Sequence, residues 1–242
     1  AFQAGDLGDG WLALAEDWMP DELWDLDTPR NMLELRMSLV DDGERLLDAA
    51  WPQRFGFREF RIDGRDFVLN GKRVSLSAVP LDNAQIGAAW ATYEAARETL
   101  ERLKGFGINY VYTHNYGCEP GAHLGFDAIL RAADDTGMLV GFTQPHFSHY
   151  DWKAPSAAGD NGYARHAAFY TRAAGNHPSV VMYVMSHNAT GYEEDMNPDM
   201  IDGVREALDQ WAKGNVELAL RAEAVVRGLD PRRIVYHHAS GN

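Results

Sequence analysis

Five short apolar runs beyond residue 70 each end in polar side chains that a purely structural strand does not need. The first run ends in Asp82 and Asn83. The later runs are followed by His114, Asn115, Gln144, His146, His149, Ser186, His187, Asn188, His237 and His238. Imidazoles exchange protons near neutral pH, and amides bind hydroxyl groups. If the runs are parallel strands, their carboxyl ends share one edge, and the pattern predicts a common polar site there.

A loop with three neighbouring carboxylates follows the fourth run. It contains Glu193, Glu194 and Asp195. Carboxyl groups can serve as general acids and bases when their surroundings tune them. The alternative interpretation is an acidic loop that is simply solvated.

The composition limits the partners that this protein can have. The chain has 242 residues, of which 45% are hydrophobic and 24% are charged, so it can bury a sizeable core. Its net charge of −14 argues against nucleic acid and against an anionic membrane surface. No apolar stretch is long enough to span a bilayer. Cys118 is the only cysteine, so no disulfide can form within the chain.

The first sixty residues have the pattern of β structure. Residues 32–39 alternate apolar and polar side chains, which predicts one half-buried strand. Asn70-Gly71 lies between two short extended stretches and predicts a tight hairpin turn, because both residues tolerate positive φ.

Beyond the hairpin, the period changes to alternating strands and helices. Helical stripes are predicted near Tyr93–Leu103, Phe126–Ala133, 162–174 and 215–227, and strands near 108–113, 138–142, 179–185 and 233–236. Together with a first strand after Val74, this gives about five strands and four helices of a parallel sheet. A doubly wound sheet is the alternative fold, but no Gly-x-Gly-x-x-Gly follows the first strand.

Several motifs resemble glycoside hydrolases of family 2, the β-galactosidase and β-glucuronidase group. In that family, Asn-His-Pro-Ser precedes the fourth barrel strand, and this chain has the same letters at 176–179. Phe-Gly-Phe-Arg at 55–58 and Leu-Asn-Gly-Lys at 69–72 are similar to the end of the family's immunoglobulin-like sandwich and to its entry into the barrel. The second-strand motif is less similar, since Tyr112-Thr113-His114 replaces the family's Arg-Thr-Ser.

The resemblance implies a fold and domain boundaries. The expected fold class is α/β, a partial (β/α)8 TIM barrel of about strands 1–5, preceded by the C-terminal part of an immunoglobulin-like β-sandwich. Residues 1–60 would form the sandwich part and residues 61–242 the barrel part. An open barrel of this kind is expected to be a fragment that aggregates or partly unfolds by itself.

The resemblance also implies a site for a carbohydrate substrate, with no cofactor and no metal. In the family, the fourth strand closes with Asn-Glu and the Glu is the acid/base, whereas this chain has Asn188-Ala189. Glu194 from the acidic loop, or His187, is therefore the candidate proton donor, and the family's nucleophile strand would lie beyond Asn242. Asn188 is expected to bind a sugar hydroxyl. The other expected substrate-binding residues are His114, Asn115, His146 and His238.

The sequence leaves other interpretations of the function open. The barrel is either a diverged hydrolase or a carbohydrate-binding barrel that has lost its acid. The clustered histidines also suit a metal-dependent enzyme, although no His-x-His spacing supports it.

Trp90 and Trp152 either stack on sugar rings or pack beneath loops. His177 is expected at the opposite end of its strand, in a structural role with Pro178. The sequence leaves the cellular location open, secreted and periplasmic locations included.

Overall fold

The structure is a computed structural model that describes residues 6–8, 12–81, 92–113, 125–185 and 210–237. Its amino-terminal part consists of short antiparallel strands. Strand β1 (Leu33–Leu35) pairs with β4 (Gln53–Phe55), and β2 (Ser38–Val40) pairs with β3 (Leu46–Ala49). The single half-buried strand predicted over residues 32–39 is therefore wrong. Residues 36 and 37 separate two strands that pair with different partners, and most side chains in both are exposed.

The hairpin predicted at Asn70-Gly71 is confirmed. Strands β5 (Phe60–Asp63), β6 (Asp66–Leu69) and β7 (Lys72–Val74) form a three-stranded antiparallel sheet. Asn70 and Gly71 connect β6 to β7 with φ of 50° and 77°. Positive φ at both turn positions matches the right-handed twist of the flanking strands.

A parallel sheet of five strands follows in the chain. The strands are β8 (Ala78–Leu81), β9 (Tyr110–Thr113), β10 (Leu139–Thr143), β11 (Val180–Met185) and β12 (Ile234–His237). They lie side by side in sequence order, and every neighbouring pair is parallel. Residues of β10 and β11 are entirely buried, as expected for strands covered on both faces.

The predicted helices are present, with some differences in extent. The helices are α1 (Tyr93–Gly105), α2 (Phe126–Thr136), α3 (Ala157–Asp160), α4 (Tyr163–Gly175) and α5 (Gln210–Leu229), with a 3₁₀ helix at Phe147–His149. Thr92 caps α1 by accepting a hydrogen bond from the backbone N–H of Ala95. The short α3 and the 3₁₀ helix are too brief to show a helical period, so the sequence did not reveal them. In the part of the chain that the structure describes, no helix combines the length and apolar character that crossing a membrane requires.

Two hydrophobic clusters cover opposite faces of the parallel sheet. One joins the sheet to the helices and includes Leu100, Leu130, Phe142, Tyr170 and Val226. The other joins the opposite face to the amino-terminal part and includes Trp24, Phe60, Leu69, Leu139 and Met182. Helices thus cover one face and antiparallel strands the other. A doubly wound sheet instead carries helices on both faces and reverses its strand order, which the described strands do not do.

Polar contacts fix the amino-terminal part against the helices. The indole N–H of Trp24 donates to the carbonyl of Asp134 at 2.9 Å. The Lys104 ammonium donates to the carbonyls of Leu26 and Thr136 at 2.6 and 2.8 Å. Arg54 forms an ion pair with Asp135 at 2.7 Å. The antiparallel strands are therefore fixed to the α/β part by contacts between residues far apart in sequence.

Candidate functional site

The carboxyl ends of the five parallel strands form one edge. The last residues of the strands are almost level, because Leu81 pairs with Thr113, Thr143 with Val184, and Met185 with His237. Parallel α/β proteins bind ligands at this edge, where the βα loops open. This edge is the candidate functional site.

Most of the predicted site residues lie outside the described residues. They are His114, Asn115, His187, Asn188, Glu194 and His238, together with Ala189 and Trp90. His114 directly follows the last residue of β9, and His238 directly follows the last residue of β12. Their convergence on one pocket remains a prediction.

Of the residues predicted to bind substrate or to donate a proton, His146 is the one that the structure describes. It lies three residues beyond the end of β10 and is partly buried. Its Nδ1 accepts a hydrogen bond from the backbone N–H of Ser148 and lies 2.7 Å from the Ser148 hydroxyl. The ring also stacks on Phe147, with centroids 5.2 Å apart. Because Nδ1 accepts a hydrogen bond, Nε2 carries the proton of the neutral ring, and the contacts with Ser148 and Phe147 orient the imidazole.

Thr143, the last residue of β10, and Gln144, which follows it, differ in the hydrogen bonding of their polar groups. The Thr143 hydroxyl donates to the carbonyl of Thr113, and its backbone N–H donates to the Thr113 hydroxyl at 3.0 Å, so these groups tie β9 to β10. Gln144 is only 1% exposed, and both atoms of its amide lack a hydrogen-bond partner in the described part of the chain. A buried amide without partners is costly and is uncommon outside sites that hold water or ligand.

Tyrosines pack on the sheet face that lies against the amino-terminal part. The hydroxyls of Tyr110 and Tyr236 are 3.1 Å apart, and Tyr112 packs against the same cluster. Burial raises the pKa of all three phenols, so they stay protonated at neutral pH. These rings are therefore neutral groups of the sheet and not candidate bases.

His237 faces a helix. Its Nε2 lies 2.8 Å from a carboxylate oxygen of Glu223 on α5, and Arg227 pairs with the same carboxylate at 2.5 Å. Burial by itself would raise the pKa of Glu223, but the hydrogen bonds from His237 and Arg227 outweigh burial and lower it. Glu223 is therefore held as a paired carboxylate and is unsuited to donate a proton. The sequence grouped His237 with the strand-end histidines, and its contact with α5 depends on packing.

Trp152 packs as a core residue. It is 5% exposed, its indole N–H donates to the carbonyl of Phe147 at 2.7 Å, and the Arg221 guanidinium lies 5.1 Å from its ring centre. Of the two interpretations of this tryptophan, packing beneath a loop is therefore the one that the structure supports. A ring covered in this way cannot stack on a sugar.

His177 lies at the opposite end of β11, as the sequence predicted. Its Nδ1 is 2.6 Å from the Asp134 carboxylate, which also accepts the backbone N–H of Ser179 at 3.2 Å. Pro178 lies against Gly56, where an added Cβ would approach the proline ring to 2.8 Å. These contacts connect the start of β11 to α2 and to the amino-terminal part, and they are structural.

The described part of the edge can bind hydroxyl groups but contributes no unpaired carboxylate of its own. Its polar groups include Thr113, Thr143, Gln144 and His146. Glu223, which contacts His237 at the end of β12, is paired. Within the described ranges, no three histidine, cysteine or acidic side chains are grouped as metal ligands would be.

Comparison with known proteins gives matches among solved structures alone. No sequence-family profile matches the chain, and no curated protein matches it. A β-glucuronidase from Bacteroides uniformis is 27% identical, with a TM-score of 0.63 over 89% of this chain. A glycosyl hydrolase family 2 member from Bacteroides cellulosilyticus is 22% identical over 90%, with a TM-score of 0.59. A β-D-mannosidase from Dictyoglomus thermophilum is 20% identical over 92%, with a TM-score of 0.57.

These matches cover nearly all of this chain but a small part of each neighbour. The chain spans 24–26% of the length of the three structures. The structural resemblance to family-2 glycoside hydrolases that the motifs indicated is thus present across the chain.

Proposed function

We propose that this chain carries the substrate-binding part of a diverged glycoside hydrolase, related to family 2, that cleaves O-glycosidic bonds. The observation that carries the proposal is the match of about nine tenths of the chain to glycosidases of known structure. The sequential parallel sheet with helices on one face agrees with it. So do the residues at 176–179, which precede β11 as the family's motif precedes its fourth strand.

The finer fold is part of the same proposal. The five parallel strands would be the first five of a (β/α)8 barrel. The paired strands β1 to β4 would be the last part of an immunoglobulin-like sandwich, with the domain boundary near residue 60. Supporting this division, the β5–β6–β7 sheet begins at Phe60 and packs its apolar side chains against the parallel sheet.

The proposed reaction needs a proton donor on one side of the glycosidic oxygen and a nucleophile or base on the other. Ala189 occupies the position of the family's acid and cannot donate a proton. Glu194, or else His187, would protonate the leaving oxygen. The family's second carboxylate lies on a seventh strand, and no residue of this chain is assigned to that role.

Substrate binding is assigned to neutral polar side chains at the same edge. Asn188 would hold a hydroxyl next to the scissile bond, as the matching family residue does. His114, Asn115, His146 and His238 would bind further hydroxyls. Support for this role comes from His146, whose ring is oriented by Ser148 and Phe147.

Ala189 favours a second candidate function, a carbohydrate-binding barrel without catalysis. A pocket that keeps Asn188 but lacks the acid retains hydroxyl recognition and loses turnover. The two functions differ in one measurable property, because only the hydrolase releases a leaving group from a bound glycoside.

The test uses the complete translation product of the gene and aryl glycosides with poor leaving groups. If Glu194 is the acid, Glu194→Gln lowers kcat by about 10²–10⁴-fold and leaves substrate binding nearly unchanged. Glu193→Gln, in the same loop, is the matched control and keeps wild-type turnover. His187→Gln tests the other donor.

The outcomes separate the two candidates. If none of these substitutions lowers turnover, neither Glu194 nor His187 is the proton donor. If the protein binds glycosides but shows no turnover, and Asn188→Ala abolishes the binding, the result supports the binding barrel. A protein that neither binds nor cleaves glycosides contradicts both proposals.

A further inference from the structure

A cleft of about 800 Å³ opens at the amino-terminal end of the parallel strands. It lies between residues 56–60, the end of α4 with the segment that follows it, and the segment 229–233 that leads into β12. Because β11 and β12 begin here, the cleft is at the edge opposite the candidate functional site. Its volume is in the range of sites for small ligands.

Two arginines meet at the floor of the cleft. The Nη2 of Arg58 and the Nε of Arg233 both donate to the carbonyl of Val180, at 2.6 and 3.0 Å. Arg58 also donates to the carbonyl of Pro178 at 3.0 Å. Two guanidinium groups that share one acceptor repel each other, and this repulsion needs a compensating negative charge.

Arg233 forms a direct ion pair with a carboxylate, whereas Arg58 interacts with the same carboxylate only at longer range. Arg233 pairs with Asp230 at 2.8 Å and also bonds to the Tyr183 hydroxyl and to several carbonyls at the end of α4. Among the described residues, Arg58 has two carbonyl acceptors and no carboxylate partner. Desolvation, with the nearby charge of Arg233, lowers the pKa of Arg58 to about 10, so the group is still cationic at neutral pH.

The rest of the lining adds positive charge. Arg172 and Arg232 lie on the rim, are exposed, and have no carboxylate partner within the described ranges. The acids of the lining are already engaged, since Asp230 pairs with Arg233, and Glu59 pairs with Arg61 at 3.2 Å. A local excess of cations is unusual on a chain whose net charge is −14.

We propose that this cleft is a second ligand site, which binds an anionic molecule of sugar size through a carboxylate or phosphate group. Arg58 would bind the anion at the floor, while Arg172 and Arg232 would approach it from the rim. Guanidinium groups bind both oxyanions through paired N–H donors. The proposal does not depend on hydrolase activity, because the cleft is remote from the edge where the substrate would be cleaved.

Titration calorimetry of the complete translation product of the gene at low ionic strength tests the proposal with four probes. The probes are glucuronate, glucose 6-phosphate, inorganic phosphate and glucose. At least one of the two anionic sugars is expected to bind, with an affinity that falls as salt is added. Glucuronate and glucose 6-phosphate together show which oxyanion the cleft prefers, and glucose tests whether the charge is needed.

Substitutions locate the binding. The double variant Arg172→Ala/Arg232→Ala changes exposed side chains and is expected to fold normally, with affinity reduced at least about tenfold. Arg165→Ala, an exposed arginine on α4 outside the cleft, is the matched control and keeps wild-type affinity. Arg58→Gln abolishes binding, and circular dichroism establishes whether that variant is folded.

Three results would overturn the proposal. The first is no binding of either anionic sugar up to about 10 mM, which is weaker than ordinary site-specific binding. The second is an affinity for glucose equal to that for whichever anionic sugar binds. The third is an affinity for the anionic sugar that the double variant leaves unchanged, which would place the binding elsewhere, for instance at the proposed hydrolase site.

Discussion

Thr143 and Gln144 are neighbours at the end of β10, yet their polar groups differ in hydrogen bonding. The Thr143 hydroxyl bonds to the carbonyl of Thr113, while the buried Gln144 amide has no partner in the described residues. A buried polar group without partners loses its hydration and gains nothing in return. Such a residue is explained more readily by a bound water or ligand than by the stability of the fold.

Replacement of Gln144 by methionine tests whether its amide stabilises the fold. Gln144→Met keeps the shape of the side chain and removes the unpaired atoms, so the free energy of unfolding should stay within about 1 kcal/mol of wild type or rise. Thr143→Val removes a hydrogen-bonded hydroxyl and should lower the free energy of unfolding by about 1–2 kcal/mol. Urea unfolding measures both. A large loss in Gln144→Met alone would mean that the amide is hydrogen-bonded in the folded protein, either to bound water or to residues outside the described ranges.

At the scale of elements, the strands of the amino-terminal part are held to helix α2 by Asp135. Its carboxylate accepts hydrogen bonds from Arg54 at 2.7 Å and from the Tyr93 hydroxyl at 2.8 Å. Burial alone would raise the pKa of Asp135, but these two hydrogen bonds outweigh it and hold the pKa below 3.8. The contact therefore contributes to stability at neutral pH and loses its contribution in acid.

Asp135→Asn should reduce stability in a pH-dependent way. A lowered pKa in the folded state gives stability that is complete above the unfolded-state value of 3.8 and is lost as the pH falls through the folded-state value. The variant should be less stable by about 1 kcal/mol at pH 7, because the pair is partly exposed, and this difference should shrink below about pH 4. Thermal unfolding from pH 7 to 3 measures it. Asp63→Asn, at an exposed pair with Arg61, should show little difference at any pH. A constant difference for Asp135→Asn across the range would contradict the role assigned to the charge.

Gly141 is required by the close approach of β9, β10 and β11. A Cβ at this position would lie 2.0 Å from the Tyr110 hydroxyl and 3.0 Å from a methyl group of Val184. Gly141→Ala should therefore destabilise the protein by about 1–3 kcal/mol, as overpacking of a core does. Gly159→Ala, in helix α3 with nothing within 4 Å, is the control and should be neutral or slightly stabilising. Chemical denaturation measures the free energy of unfolding of both variants. An equal effect would mean that the neighbouring strands move apart easily enough to accommodate the methyl group.

At the scale of the whole molecule, the described part exposes both apolar surface and strand edges. The outer strands β8 and β12 each pair on one side only within the described residues. Val40 and Leu46, opposite each other on β2 and β3, are 50% and 60% exposed. Surfaces of both kinds promote association between chains.

The 242-residue chain should therefore associate as its concentration rises. Light scattering coupled to size exclusion should give an average mass above the 27.0 kDa of one chain, increasing with concentration. Val40→Lys/Leu46→Glu places an opposite-charge pair on the exposed strands and should reduce the association. A strictly monomeric wild-type chain with a single cooperative unfolding transition would contradict this expectation, and with it the predicted aggregation of an open barrel.

Features that depend on near neighbours along the chain could be predicted from the residues alone. The turn at Asn70-Gly71 follows from two residues that accept positive φ, and helices α1 and α2 follow from apolar side chains at helical spacing. The parallel sheet follows from the alternation of strands and helices. For the candidate site, the sequence could place polar residues at strand ends. It could not show that their side chains meet, and for most of them this remains a prediction.

Contacts between side chains that are far apart in sequence became visible only in the folded chain. Trp152 lies under Arg221, His237 faces Glu223, and Arg58 joins Arg233 at the carbonyl of Val180. No local period indicates these contacts, because the direction of a side chain depends on how helices and strands from distant parts of the chain pack together. The same reason explains the cleft at the amino-terminal edge, whose arginines come from three separate segments and acquire a common environment only when the chain folds.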